Sequence, residues 1–142
     1  RGHVSIVDKD SRTYAKIKMN YLSTDEDRRI AAAGLKLTRK IVLESETFKK
    51  FSPEEYRPGL HLTDDEDILK AAADYAQTIF HPVGTCKMGQ DDTAVVDDQL
   101  KVHGIKNLRV IDASIMPNIT SGNTNAPTIM IAEKGADMIL SN

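Results

Sequence analysis

Pro82 strongly restricts the fold of this chain, because a proline fixes its own backbone and disfavours a helical conformation in the residue before it. It directly follows His81, so a helix predicted from about residue 63 must end near Phe80 or His81. The small residues of the next turn, residues 83–86, allow another group to approach the backbone closely. We predict that His81 stands at a helix-to-coil corner, with its side chain preorganised.

A second polar cluster, SGNTNAPT at residues 121–128, precedes a last helix predicted from about Pro127 to Leu140. The ordinary role of an asparagine in this position is to cap the helix. The amide of Asn123 can also hold a substrate hydroxyl and a developing alkoxide. Histidine is the usual general base for a hydroxyl proton. We predict that the two stretches meet in space and that His81 and Asn123 face one substrate.

Two further features are compatible with a bound cofactor. The last helix, apolar nearly all round at residues 129–132, is expected to be buried and to present free N–H groups at its positive end. That end suits an anion, of which the N1–C2 carbonyl edge of a reduced flavin is one example among several. A short apolar strand at residues 108–111 ends in Asp112, a common route into a cofactor cleft.

Purely structural roles for these residues remain possible at this point. A histidine is more often structural than catalytic, and Cys86 is more typical of a small buried residue than of a nucleophile. A nucleophilic cysteine needs a base that reaches its sulfur, which the sequence does not indicate. The spacing of His81 and Cys86 matches no zinc pattern, and no metal site is predicted.

The hydrophobic periodicity predicts an α+β fold, a partial antiparallel or mixed sheet covered by helices. Residues 4–7 and 17–21 alternate between apolar and polar side chains, which predicts a hairpin with one solvent-exposed face. Short strands are predicted at residues 95–96 and 100–102. Capping-box spacings predict helix starts at Ser23 and Thr63. The first helix, residues 25–44, carries an apolar stripe of Ile30, Gly34, Leu37 and Ile41, and the second carries Ile68, Ala72, Tyr75 and Ile79.

The bulk properties exclude some partners. With 142 residues and a formal net charge of -2, the chain is large enough for a real core and gives no electrostatic reason to bind nucleic acid. No apolar run approaches the length of a membrane span. The single cysteine permits a reducing compartment, so a cytoplasmic location, or one peripheral to a membrane, is expected. Because the chain opens RGHV and already reads as a strand at Val4, we expect it to be part of a longer protein.

Four stretches together resemble one family, the glucose-methanol-choline (GMC) flavoprotein oxidoreductases, in its C-terminal part. They are HPVGTCKMG at residues 81–89, VVD at 95–97, LRVIDASIMP at 108–117 and SGNTNAPT at 121–128. The likeness is greatest to the choline and alcohol dehydrogenase branch. Residues 1–4 and 20–23 are also similar to that family's substrate domain, so the resemblance covers nearly the whole chain.

The resemblance implies a function. Members of the family oxidise an alcohol to an aldehyde or ketone with FAD. By the likeness, His81 would remove the hydroxyl proton, hydride would pass to flavin N5, and Asn123 would be its catalytic partner. Cofactor contacts would come from Asp112 and Ala113 and from the backbone of Thr124 and Asn125.

The resemblance also implies a division of the chain. Residues 1–92 would belong to the substrate-binding domain with its catalytic histidine loop, and residues 93–142 would return, as strand and helix, to an FAD-binding α/β domain. A composition shift between Asp92 and Leu108 agrees with this boundary. The Gly-x-Gly-x-x-Gly dinucleotide motif does not occur in the sequence, so FAD would be bound mainly by a missing N-terminal domain.

A second hypothesis follows from the missing motif. The chain would then be a catalytically inactive fragment or a module that self-associates as a homo-oligomer. Sheet edges and apolar surface left open by an incomplete domain favour association.

Overall fold

The computed structural model describes residues 1–141, so the last residue of the predicted 93–142 segment, Asn142, lies outside it. The chain forms two compact units, Arg1–Gln77 and a second that begins at Thr78. Each unit is an assembly of helices and turns, and the first also holds a two-stranded antiparallel sheet. The coarse α+β class is confirmed. The assignment of residues 1–92 and 93–142 to different domains of a larger enzyme stays a prediction.

The predicted N-terminal hairpin is present but short. Strands β1, His3–Ser5, and β2, Lys16–Lys18, pair antiparallel with Val4 opposite Ile17. Neither face is covered, because no helix of this unit packs on the hairpin, and Ile17 is 66% exposed. The expectation that one face would be buried is therefore wrong for this structure.

The first long helix has the predicted extent and a different buried face. Helix α1 spans Asp25–Arg39 and continues through a π-helical turn, Lys40–Glu44. Thr24, rather than the predicted Ser23, caps it, and its hydroxyl accepts a bond from Asp27 N at 3.1 Å. Ala32 is buried, whereas the predicted stripe is exposed, because small alanines let the neighbouring helix α3 approach more closely than isoleucine would. A four-residue helix, α2, follows at Glu46–Lys49.

Helix α3 is shorter than predicted. It spans Asp65–Tyr75, is capped by Asp64 rather than Thr63, and packs on α1 through Ile68, Ala71 and Ala72. It ends because Ala76 turns to an extended conformation, with ψ 143°, while its N–H still bonds Ala72 O at 2.8 Å. The prediction of a helix reaching Phe80 or His81 is wrong: Pro82 restricts only its immediate neighbour and does not require the preceding residues to be helical.

An ion pair closes the first unit. Arg39 Nε and Nη2 donate to the two carboxylate oxygens of Glu55 at 2.7 and 2.8 Å. The same guanidinium donates to the carbonyls of Leu62 and Gly59, at 2.7 and 2.9 Å. The hydrogen bond from Arg39 holds the pKa of Glu55 below its ordinary value, although burial opposes this. The pair therefore fastens the irregular segment 55–62 to α1.

The second unit has an apolar core formed largely without regular strands. Its buried side chains are Val96, Leu100, Ile115, Met116 and Ile131. The predicted strands at 95–96, 100–102 and 108–111 occur only as isolated bridges, Val96 with Met88 and Val102, and Lys101 with Arg109. The chain turns tightly at Asp97, whose carboxylate accepts from the N–H groups of Lys101 and Gln99, both at 2.8 Å. These bonds lower the pKa of Asp97 and keep the segment too curved for extended pairing.

The last helix, α4, spans Asn125–Leu140 and buries one face only. Ile131 and Gly135 face the core, while Ile129 and Met130 are more than half exposed. The prediction that this helix is buried therefore holds for one face and is wrong for the face of Ile129 and Met130. At Gly135 the helix approaches Ile111 so closely that an added Cβ would lie 2.9 Å from Ile111 Cδ1 and closer still to Cγ2.

Among residues 1–141, no helix combines the length and apolar character needed to cross a bilayer. Within the same residues, no three histidine, cysteine, aspartate or glutamate side chains gather as a metal site requires.

Candidate active site

His81 lies in a constrained loop rather than at the end of a helix. The preceding residue, Phe80, has a left-handed backbone with φ +62°, and its N–H donates to Thr78 Oγ1 at 3.1 Å. Pro82 follows, and Gly84 adopts φ +85°, a conformation that glycine tolerates. The backbone on both sides of His81 is therefore restricted, as predicted, although by a turn rather than by a helix terminus.

Backbone hydrogen bonds fasten this loop to the core of the second unit. Cys86 N donates to Ser114 O at 3.0 Å, and Met88 N donates to Ile115 O at 2.8 Å. The acceptors belong to a single 3-10 turn, Ala113–Ile115. Gly84 packs against the same segment, since a Cβ there would lie 3.2 Å from Met116 O. The loop therefore has little freedom to move away from the turn.

The side chain of Asn123 has a defined orientation. Its Oδ1 accepts a hydrogen bond from Asn125 N at 2.9 Å, so Oδ1 cannot exchange places with Nδ2 without losing that bond. Nδ2 then points to His81 Nε2, at 3.5 Å. The expectation that the two stretches meet in space is confirmed, whereas the catalytic roles of His81 and Asn123 stay a prediction.

The contact suits one tautomer of the imidazole. Nδ2 is a donor only, so the contact favours an Nε2 that carries a lone pair and an Nδ1 that carries the proton. His81 is half-buried and Asn123 is exposed. A substrate hydroxyl placed beside both nitrogens would donate its proton to His81 Nε2 and accept a hydrogen bond from Asn123 Nδ2. This arrangement suits removal of a proton from an alcohol.

The N-terminus of α4 offers fewer donors than expected. The N–H of Asn125 is bonded to Asn123, and Pro127 has none, while the N–H of Ala126 has no acceptor among the described residues. Thr124 is buried, and its carbonyl accepts from Thr128 N and Oγ1 at 3.0 and 2.7 Å. One free N–H and the positive helix end fit a single anionic edge, such as that of a flavin, and not a diphosphate.

The other predicted cofactor residues lie next to this helix. Asp112 caps the 3-10 turn, and its carboxylate accepts from Ser114 N at 2.7 Å. Ala113 begins that turn, which contacts α4. The structure therefore places Asp112 and Ala113 at a turn that packs on α4, whose N-terminus holds Thr124 and Asn125, and the Asp112 carboxylate supports the backbone of that turn.

Sequence reasoning missed two parts of the site. The left-handed backbone of Phe80 has no signal in the sequence, because phenylalanine is not a residue that favours it. The hydrogen bonds to Ser114 and Ile115 join segments distant in sequence, so no local pattern indicated them. Cys86 is half-buried and contributes its backbone N–H to this anchor.

Comparison with known proteins identifies the family. The model of the C-terminal domain of GMC oxidoreductases matches residues 1–132. The chain belongs to the GMC oxidoreductase family. The resemblance seen in the four sequence stretches is thereby confirmed.

Curated GMC relatives agree with this assignment. An oxygen-dependent choline dehydrogenase from Pseudomonas fluorescens Pf-5 is 48% identical over 139 residues, which is 98% of this chain and 24% of the relative. The chain thus spans about a quarter of the length of the curated relatives it matches.

Solved structures show the same GMC fold. A formate oxidase from Aspergillus oryzae, studied for FAD modification, matches with a TM-score of 0.88 and 35% identity over 99% of this chain and 24% of its own. A pyridoxine 4-oxidase from Mesorbium loti matches with a TM-score of 0.83 and 32% identity, over 94% of this chain and 26% of its own.

Proposed function

We propose that this chain is the substrate-facing, C-terminal part of an FAD-dependent oxidoreductase that oxidises an alcohol, choline or another primary alcohol, to an aldehyde. The observation that carries the proposal is the contact of His81 Nε2 with Asn123 Nδ2, an acceptor beside an oriented donor. Membership of the GMC family and 48% identity to a choline dehydrogenase support the reaction class.

In the proposed reaction, His81 Nε2 takes the proton of the substrate hydroxyl. Asn123 Nδ2 donates to the same oxygen and stabilises the negative charge that develops on it. FAD, when bound, supplies the acceptor for the hydride that leaves the carbinol carbon. The proton and the hydride together account for the two hydrogens lost when an alcohol becomes an aldehyde.

The cofactor would contact this chain along one edge only. The N–H of Ala126 and the positive end of α4 would face its anionic carbonyl edge, beside Asp112 and Ala113. The larger part of the FAD site would come from a dinucleotide-binding region outside this chain. In that arrangement, residues 1–92 serve the substrate domain and residues 93–142 complete the FAD domain.

His81 and Asn123 would bind only the alcohol group of the substrate. The relatives and neighbours are named for choline, pyridoxine and formate, and all match this segment over most of its length. Residues that select among such substrates would therefore lie largely in the remainder of the enzyme.

The test uses an enzyme that carries both this chain and the FAD-binding region. His81→Ala should lower turnover by about 10²-fold or more, since a positioned general base contributes about that much. The matched control is His3→Ala, because His3 is an exposed histidine of strand β1 in the other unit. Flavin absorbance is measured in both variants to show that FAD remains bound. Unchanged turnover in a flavin-loaded His81→Ala enzyme would exclude the proposed base.

A second function is favoured by the apolar surface. Both long helices expose large side chains, including Ile30 and Leu37 on α1, Ile41 on its π-helical continuation, and Ile129, Met130 and Leu140 on α4. Exposed apolar area on this scale is typical of interaction surfaces. The chain alone would then be a catalytically inactive module that self-associates.

The two functions are separated by measurements on the purified chain alone. A colourless chain that forms oligomers, and whose melting temperature does not rise with added FAD, supports the inactive module. Tight retention of yellow flavin by a monomeric chain counts against it, because flavin binding would then be a property of this segment.

A further inference from the structure

The residue before His81 has an unusual backbone. Phe80 adopts φ +62°, where a side chain with a Cβ is disfavoured. Such a conformation persists only where its surroundings determine it. Here the Phe80 N–H donates to the Thr78 hydroxyl at 3.1 Å. Pro82 limits the backbone conformation of His81, which lies between Phe80 and Pro82.

The phenyl ring does not explain this conformation. The side chain of Phe80 is 79% exposed, so little packing compensates for the strained backbone. A left-handed residue turns the backbone sharply, and the next residue is the histidine that contacts Asn123.

We propose that Phe80 is a positioning residue, whose left-handed backbone, held by Thr78, aims His81 at Asn123. The inference rests on the proposed function, because it assigns Phe80 a role in the reaction of His81. It attributes that role to the handedness of the backbone and not to the aromatic ring.

The handedness can be separated from the ring by the choice of substitution. Glycine and asparagine adopt a left-handed backbone readily, whereas β-branched valine does so only with strain. The proposal therefore predicts an order of activity that hydrophobicity does not: Phe80→Gly and Phe80→Asn retain most of the turnover, and Phe80→Val retains the least. A role of the ring predicts the reverse order, with valine the mildest change.

The experiment measures kcat, KM and FAD content of these three variants in the FAD-loaded enzyme. Phe80→Val should lower kcat by roughly 10- to 100-fold with KM changed much less, because misplacing a catalytic group acts mainly on the chemical step. Phe80→Gly and Phe80→Asn should keep kcat within about threefold of the parent, which corresponds to a change of roughly 0.7 kcal/mol in the activation free energy. If valine is the mildest variant, or if all three equal the parent, the inference is wrong.

A second pair of variants covers the case in which Phe80→Val does not fold. Thr78→Val removes the hydroxyl and keeps the shape of the side chain, whereas Thr78→Ser keeps the hydroxyl that holds Phe80 N–H. Thr78→Val should lower kcat more than Thr78→Ser, and equal values would contradict the inference. His81→Ala is measured alongside. If it retains full turnover, the proposed function fails, whereas a large loss there with no effect at Phe80 and Thr78 overturns the positioning role alone.

Discussion

In the first unit, a guanidinium and a carboxylate fasten an irregular segment to α1, whereas the second unit closes over five buried apolar side chains. The first arrangement depends on charge, and one missing partner leaves the other charge poorly solvated. The second depends on shape, and it holds the two loops that carry His81 and Asn123. The candidate site therefore rests mainly on apolar packing and backbone hydrogen bonds, with carboxylates such as that of Asp97 holding turns around it.

The largest expected effect comes from removing the cation of the first unit. Arg39→Met should destabilise that unit by about 3–5 kcal/mol, because it leaves the Glu55 carboxylate, only 10% exposed, without its partner. Hydrogen exchange resolved along the chain should show faster exchange in residues 1–77 and little change in the second unit.

The matched control for this variant removes both charges. Arg39→Met combined with Glu55→Leu should recover most of the lost stability, since no unpaired charge remains. If the double variant is as unstable as the single one, the loss would come from packing and not from the orphaned carboxylate.

A smaller effect, of opposite sign in the two units, is expected at two helical glycines. Gly135→Ala should destabilise the second unit by about 1 kcal/mol net, because the new Cβ collides with Ile111 and overpacking outweighs the gain in helix propensity. Gly34→Ala should stabilise the first unit by about 0.5–1 kcal/mol, since nothing lies within 4 Å of its Cβ position. Thermal unfolding of both variants checks the signs. A stabilised Gly135→Ala would show that Ile111 moves aside freely.

The smallest expected effect is the dependence of stability on acidic pH. The pKa of Glu55 is lowered from its ordinary value of 4.5, so its contribution to stability is present above that value and is lost as the pH falls through the lower, folded value. Glu55→Gln should reduce the loss of hydrogen-exchange protection that the first unit shows as the pH falls below about 4.5. As a control, Asp97→Asn should flatten it in the second unit alone, where the pKa of Asp97 is lowered by backbone N–H groups. Equal effects of either variant on both units would contradict the assignment.

The helices could be predicted from sequence better than the faces they bury. The starts at Asp25 and Asp65 were predicted to within two residues, because caps and acidic first turns are local signals. The prediction of which face of α1 is buried was wrong, because the packing of alanine depends on the partner helix α3, which hydrophobic periodicity does not describe. The early end of α3 was missed for a similar reason, since nothing at Tyr75 or Ala76 breaks a helix locally.

The candidate site was predictable where residue type carries the chemistry. His81 and Asn123 were paired from their functional groups and from a family resemblance, and they are in contact. The backbone that brings them together was not predictable, because it depends on a left-handed Phe80 and on bonds from Cys86 and Met88 to a distant turn. These are properties of the folded chain and not of any local pattern.

The fixed amide of Asn123 has a consequence for how the proposed reaction would end. Once Nε2 of His81 carries a proton, two donors face each other, because the Asn125 N–H prevents the amide from presenting its oxygen instead. Asn123 then offers His81 no acceptor, so in the proposed reaction a protonated Nε2 would find its hydrogen-bond partner in the product oxygen or in solvent.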